Sequence, residues 1–181
     1  MTTPQDVLDF WFDGDPSSHR VVWFEKDAAF DHACTRFADA LHDAKSGTLD
    51  HWAETPFGAL ALVILLDQFS RNLFRGSPGA YAADGKARII ARVAIAQQFD
   101  QQVGSVERVF FYLPFEHSEQ LADQAESVRL HTPLGDDAAK WARHHHDIVH
   151  RFGRFPHRNA ILGRANTLDE ERYLASDENK F

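Results

Sequence analysis

Arginine, histidine, amide and carboxylate side chains recur in this chain at spacings suited to holding a small anion. LDQFSRNLFRG at 66–76 offers Asp67, Gln68, Arg71 and Asn72, and RFGRFPHRNAILGR at 151–164 offers Arg154, His157, Arg158 and Asn159. YLPFEHSEQLADQ at 112–124 adds His117 and Gln124. Guanidinium presents a planar donor fork that matches phosphate or carboxylate, and imidazole moves a proton near neutral pH. Arg71, Arg154 and Arg158 are therefore candidates for charge recognition. His117 and His157 are the candidate donor or base, with Asp67, Gln68, Asn72, Gln124 and Asn159 orienting the ligand. The same residues carry a second reading, in which Asp67, Arg71, Arg158 and Asn159 form a satisfied network tying the last helix to the central one.

Other chemistries fit less well. Glu116-His117 and His144-His145-His146-Asp147 have metal-ligating types, but successive helical residues diverge by 100°. Only His146 and His150 have i, i+4 spacing, on an outward face, so no metal site is expected. His117-Ser118-Glu119 contains the residue types of a hydrolytic triad, yet neighbours on one helix cannot hydrogen-bond in relay. His117 as a lone base beside an anion is the workable version; His145 suits a packed, hydrogen-bonded role. No cofactor is expected. A peptide partner in a helical groove, with no enzymatic activity, is the competing function, although no repeat of ~34 residues is visible. Whether the chain is an enzyme stays open at this level.

The formal net charge of −8 argues against a nucleic-acid partner and against an anionic membrane surface. Between residues 140 and 164, however, Lys140, Arg143, Arg151, Arg154, Arg158 and Arg164 face only Asp147, a local cationic island. The single cysteine, Cys34, excludes an intrachain disulfide and falls at core-facing spacing with Phe30, Phe37 and Leu41. MTTPQDVLDFWF lacks the basic start of a signal peptide, and Leu60–Leu66 is far below the ~20 residues that span a bilayer. A cytoplasmic location is the expectation.

The elements that must position these residues are helical throughout. Thr3-Pro4 opens a helix through Phe12, and Asp27 caps another that Gly47 stops. Thr55-Pro56 opens the central helix, whose positions from Phe57 to Leu66 are almost all apolar and hence interior. Asp84 and Asp136 are expected as caps of later helices, Pro114 is expected to kink or end the helix from Ser105, and Thr167 caps a short last helix before a polar end that frays. On one wheel through 116–128, Leu121, Ala125 and Val128 form the apolar stripe, His117, Ser118 and Gln124 lie on or beside it, and Glu116, Glu119 and Asp123 point away. On the next helix the inner face is Trp141, Ile148, Val149 and Phe152, with His145 in its middle. With no period-two alternation, the chain reads as one all-α domain, residues 1–181, of seven to eight packed antiparallel helices, 164–181 forming a short terminal helix and tail.

Those three motifs, with Trp11-Phe12 and Trp23-Phe24, resemble a bacterial family known as domain of unknown function 924, over nearly the whole length. The resemblance implies a tetratricopeptide-like helical bundle and no established activity; the family's usual proline in the first motif is Ser70 here.

Overall fold

A computed structural model describes residues 2–177. The polar end expected to fray, 178–181, lies outside the described residues. Among those described there is no strand, and the fold is all-α. The chain falls into two compact units: residues 2–75 with 79–114, and 76–78 with 115–177.

In the first unit, α1 (Pro4–Phe12) is opened by a capping box between Thr3 and Asp6. Asp27 caps α2 (Ala28–Cys34) through two backbone N–H groups, and a 3-10 turn leads into α3 (Ala38–Ser46), closed by Gly47 at φ 94°. The central rod is α4 (Pro56–Ile64), a π-helical turn over Leu65–Phe69, and α5 (Ser70–Leu73). Thr55 caps it, Pro56 stands at the first position, and every residue from Gly58 to Ser70 is buried. α6 (Asp84–Ala96) packs on α4. Trp11 sits among Trp23, Phe30, Phe69 and Phe110 with tilted, stacked and edge-on ring contacts of 5.2–6.1 Å, an aromatic core that fixes where the end of the rod points. Cys34 is fully buried there, and burial pushes its thiol up to about 12, leaving it inert.

Gly58 is required by close approach rather than by φ. A Cβ at that position would stand 2.2 Å from the Trp52 carbonyl oxygen and 2.7 Å from Thr55 Oγ1. Alanine would gain about 1 kcal/mol of helix propensity, against overpacking that costs about 1–3 kcal/mol even where neighbours yield. The obstructing atom is backbone, so Gly58→Ala is expected to lose about 2 kcal/mol net in urea denaturation. A variant as stable as the parent would show that the Trp52 turn gives way.

α7 (Ser105–Glu116) runs through Pro114 and stops two residues later, so the proline neither ends the helix nor merges it with the next. The second unit then holds α8 (Leu121–His131), α9 (Asp136–Phe152) and α10 (Leu168–Leu174), with α8 packed on α9. Thr167 and Glu170 form a capping box at α10. Ile148, Val149, Phe155 and Tyr173 make the local core.

Several sequence expectations are corrected. Asp84 and Asp136 are first helical residues, the cap positions being Ala83 and Gly135. Trp141 is 46% exposed, and Ala139 and Ala142 occupy the inner face with Ile148 and Val149. On α8 the apolar stripe is misplaced: Leu121 is 47% exposed and Ala125 is exposed, while Asp123, Ser127, Leu130 and His131 are buried; Gln124 is inward, as expected. Glu116 is buried as well. The break at 117–120 resets the helical phase, so a single wheel across it misplaces Leu121, Asp123 and Ala125. Polar residues face inward because the carbonyls ending α7 need donors. Gln124 Nε2 lies 2.7 Å from the Glu116 carbonyl oxygen and 2.6 Å from that of Ser118, and Ser118 Oγ donates to Asp123.

Candidate functional site

The π-helical turn sets Asp67 and Gln68 inside the first unit. A π turn closes i→i+5 hydrogen bonds and is found frequently at functional sites. Arg71 Nη1 donates to the Asp67 carbonyl oxygen at 2.7 Å and stands 3.3 Å from its Oδ1, while the same fork grips both oxygens of Asp84 at 2.9 and 3.1 Å. Gln68 donates to Asp67 Oδ2, and Asn72 and Arg75 both donate to Asp31. The i, i+4 pair read from the sequence is present, and its cation also serves a second carboxylate. A groove of about 590 Å³ lies elsewhere in this unit, with Phe10, Phe30 and Asp6, Asp9, Asp13 and Asp27 among its lining, and none of the expected site residues.

The other candidates belong to the second unit. Arg154 forks onto Glu170 at 2.6 and 2.7 Å and reaches the Ala165 carbonyl oxygen. The hydrogen bonds from Arg154 and from the Thr167 N–H hold the Glu170 carboxyl down at about 2. Arg164 forks onto Glu119 at 2.7 and 2.9 Å, and Glu119 also accepts the Phe155 N–H. Burial raises the Glu119 carboxyl, but these bonds prevail and it is lowered. Asn159 is fully buried and donates to Asn166 Oδ1. The Arg158 guanidinium, 6% exposed, lies 4.5 Å over the Phe155 ring, whose other contacts include His145 and His157. His117 and His157 are half-buried.

The structure thus gathers Arg158 and His157 around Phe155. It also adds residues that were assigned no ligand role: Glu116, His131 and His145. His145 Nδ1 stands 3.3 Å from Glu116 Oε1, and His131 Nε2 stands 3.8 Å from Glu116 Oε2. Burial lowers the His145 imidazole to about 3, with His117, His144 and Arg158 pushing the same way. Burial likewise lowers His131 to about 4, with His117 again adding. Both rings are neutral at pH 7. The inward wheel position of His145 was the available signal; His131 and Glu116 gave none, because the helix break between them hides their shared side. Among the described residues, no group of three His, Cys, Asp or Glu is arranged to hold a metal ion, and no helix is long and apolar enough to cross a membrane.

The solved structure of a protein of unknown function from Agrobacterium tumefaciens, ATU0120, is similar over 94% of this chain and 96% of that one, with 49% sequence identity and a TM-score of 0.88. No curated protein matches. Residues 7–178 match the family described as bacterial protein of unknown function, DUF924, and the chain belongs to that family.

Proposed function

We propose that the second unit binds a small anionic molecule, a phosphate or carboxylate, with Arg158 as the recognising cation and His117 and His157 as donors or bases. Gln124, Arg154 and Asn159 hold the frame. One observation carries this reading: the buried Arg158 stands 4.5 Å over the Phe155 ring, which His145 and His157 also contact, so a cation and two imidazoles are gathered at one place in the second unit. Half-buried imidazoles beside such a cation meet a bound anion where a proton can be moved, which is the basis for an enzymatic role in the cytoplasm. Asp67, Gln68, Arg71 and Asn72 take the structural role, since Arg71 and Asn72 serve carboxylates of their own unit. The second reading, an interaction module with structural ion pairs, draws on Arg154 and Arg164, each forked onto an internal carboxylate.

A thermal-shift series with inorganic phosphate, phosphate monoesters, short carboxylates and divalent cations separates the two. Under the ligand reading an anion raises the melting temperature, equivalent to about 2.7 kcal/mol at a hundred times its dissociation constant. Arg158→Gln removes the shift while the variant still unfolds cooperatively. If no anion moves the parent and Arg158→Gln merely destabilises, the interaction module stands.

A further inference from the structure

α6 shows solvent a face of unusual composition. Ala87, Ile90, Ala91 and Ala94 turn inward, and Asp84 is held in the fork of Arg71. Outward, Ile89 and Val93 stand one helical turn apart, 66% and 46% exposed. The charged residues that accompany them, Lys86, Arg88 and Arg92, are all basic, and no acid occurs from 85 to 99. Apolar residues scattered singly over a surface need no account, but an i, i+4 aliphatic pair with cationic flanks is the pattern of a helix that lies in a groove.

The groove of about 590 Å³ in the same unit has the opposite character. α1 and α2 both line it, and the rings of Phe10 and Phe30 stack there with centroids 5.5 Å apart. Ala29 and Ala33, exposed and one turn apart on α2, add small side chains. Among the described residues, Asp6, Asp9 and Asp27 accept hydrogen bonds only from neutral groups: Thr3, Gln5, and the Ala29 and Phe30 N–H groups. Asp13 shares Arg20 at 3.7 Å, and Arg20 is itself turned onto the Phe10 and Trp11 carbonyl oxygens. Arg36 lies over the Phe10 and Phe37 rings. Four carboxylates against two guanidiniums leave the groove negative around an aromatic centre.

We propose that the α6 face of one copy of this chain docks in the α1–α2 groove of another, Ile89 and Val93 meeting Phe10 and Phe30 while Arg88 and Arg92 meet the carboxylates. The contact is independent of anion binding in the second unit. Two copies of net charge −8 repel at long range, so their encounter is productive only where a basic helix face meets an acidic groove. The two patches are unlike and every copy carries one of each, so the contact repeats until a ring closes.

Sedimentation velocity of the full chain over a concentration series reaching the millimolar range reads the contact directly, and the average mass is expected to rise with concentration. Ile89→Glu places an anion on the helix face, and Ala33→Trp fills the groove. Both positions are exposed, so both variants should melt with the parent, and each should weaken association by roughly thirtyfold. Mixed together they regain one contact, because the first keeps its groove and the second its helix, and the mixture should stop at a pair. A parent that is monomeric at every concentration overturns the proposal; binding of an unrelated basic amphipathic peptide, blocked by Ala33→Trp, would then assign the groove to a foreign partner. Association lost in Ile89→Glu but untouched by Ala33→Trp means that the helices pair with each other, which also overturns it. So does association that neither variant weakens, or a mixture that regains nothing. Should Ala33→Trp lower the melting temperature, Asp9→Lys replaces it, reversing a charge of the groove at an exposed position.

Discussion

Arg71→Ala is expected to remove about 3–5 kcal/mol of stability, a large share of what a domain of this size has. The fork of Arg71 is the common partner of Asp67, which is fully buried, and Asp84, which is nearly so. Deleting the cation leaves two carboxylates in low dielectric, and that uncompensated charge outweighs the lost hydrogen bonds themselves. Arg71→Lys should recover only part of the loss, since an ammonium cannot bridge Asp67 and both oxygens of Asp84 in one plane. Arg71→Ala paired with Asp84→Asn should recover more, because one of the stranded charges is removed with its partner. Guanidinium denaturation of the four chains provides the check. A single variant within 1 kcal/mol of the parent would mean that water reaches the carboxylates and that the cluster contributes little.

Acid should weaken the fold well before its carboxylates titrate. His145 and His131 ionise near 6.5 in the unfolded chain and only at about 3 and about 4 in the folded one. Above pH 6.5 neither state takes the proton and stability is complete. Below it the unfolded chain binds protons that the folded chain refuses, and stability falls by about 1.4 kcal/mol per pH unit for each ring, until the folded values are reached. About 4 kcal/mol should be gone between pH 7 and pH 5. Glu119 and Glu170 are lowered in the fold, so their contribution is lost only at more acid pH, below the unfolded carboxylate range. Urea midpoints at pH 7, 6 and 5 measure the slope, and His145→Phe, which packs on Phe155 without titrating, should reduce it by one ring's share. A flat profile over that range would show that the histidines are hydrated.

The helices were legible because their signals are local. Thr3-Pro4, Asp27, Thr55-Pro56 and Thr167 announce helix starts through a side-chain oxygen and a fixed φ, and the structure places a cap at each. The polar cluster was legible only as far as it is local too. Asp67 and Arg71 lie one helical turn apart and could be paired on paper, but Asp84, the better partner, lies 13 residues away. Glu119 and Glu170, which take up Arg164 and Arg154, stand 45 and 16 residues from their cations. No periodicity marks such pairs; tertiary packing creates them. The stripe on α8 was misplaced for a different reason, a break in phase at 117–120 that no composition signal announces.

The polar inner side of α8 bears on the order in which the second unit assembles. An α8 whose inward side is Asp123, Gln124, Ser127 and His131, with Leu130 as its large buried apolar residue, has little to gain from hydrophobic collapse, which would bury Leu121 as well. Its native face becomes favourable only once the end of α7 exists, since the carbonyl oxygens that Gln124 serves are created by that helix stopping where it does. α8 is thus recruited by hydrogen-bond complementarity after its neighbour has formed, a late and orientation-specific step that guards against the collapsed arrangement its own apolar stripe would favour.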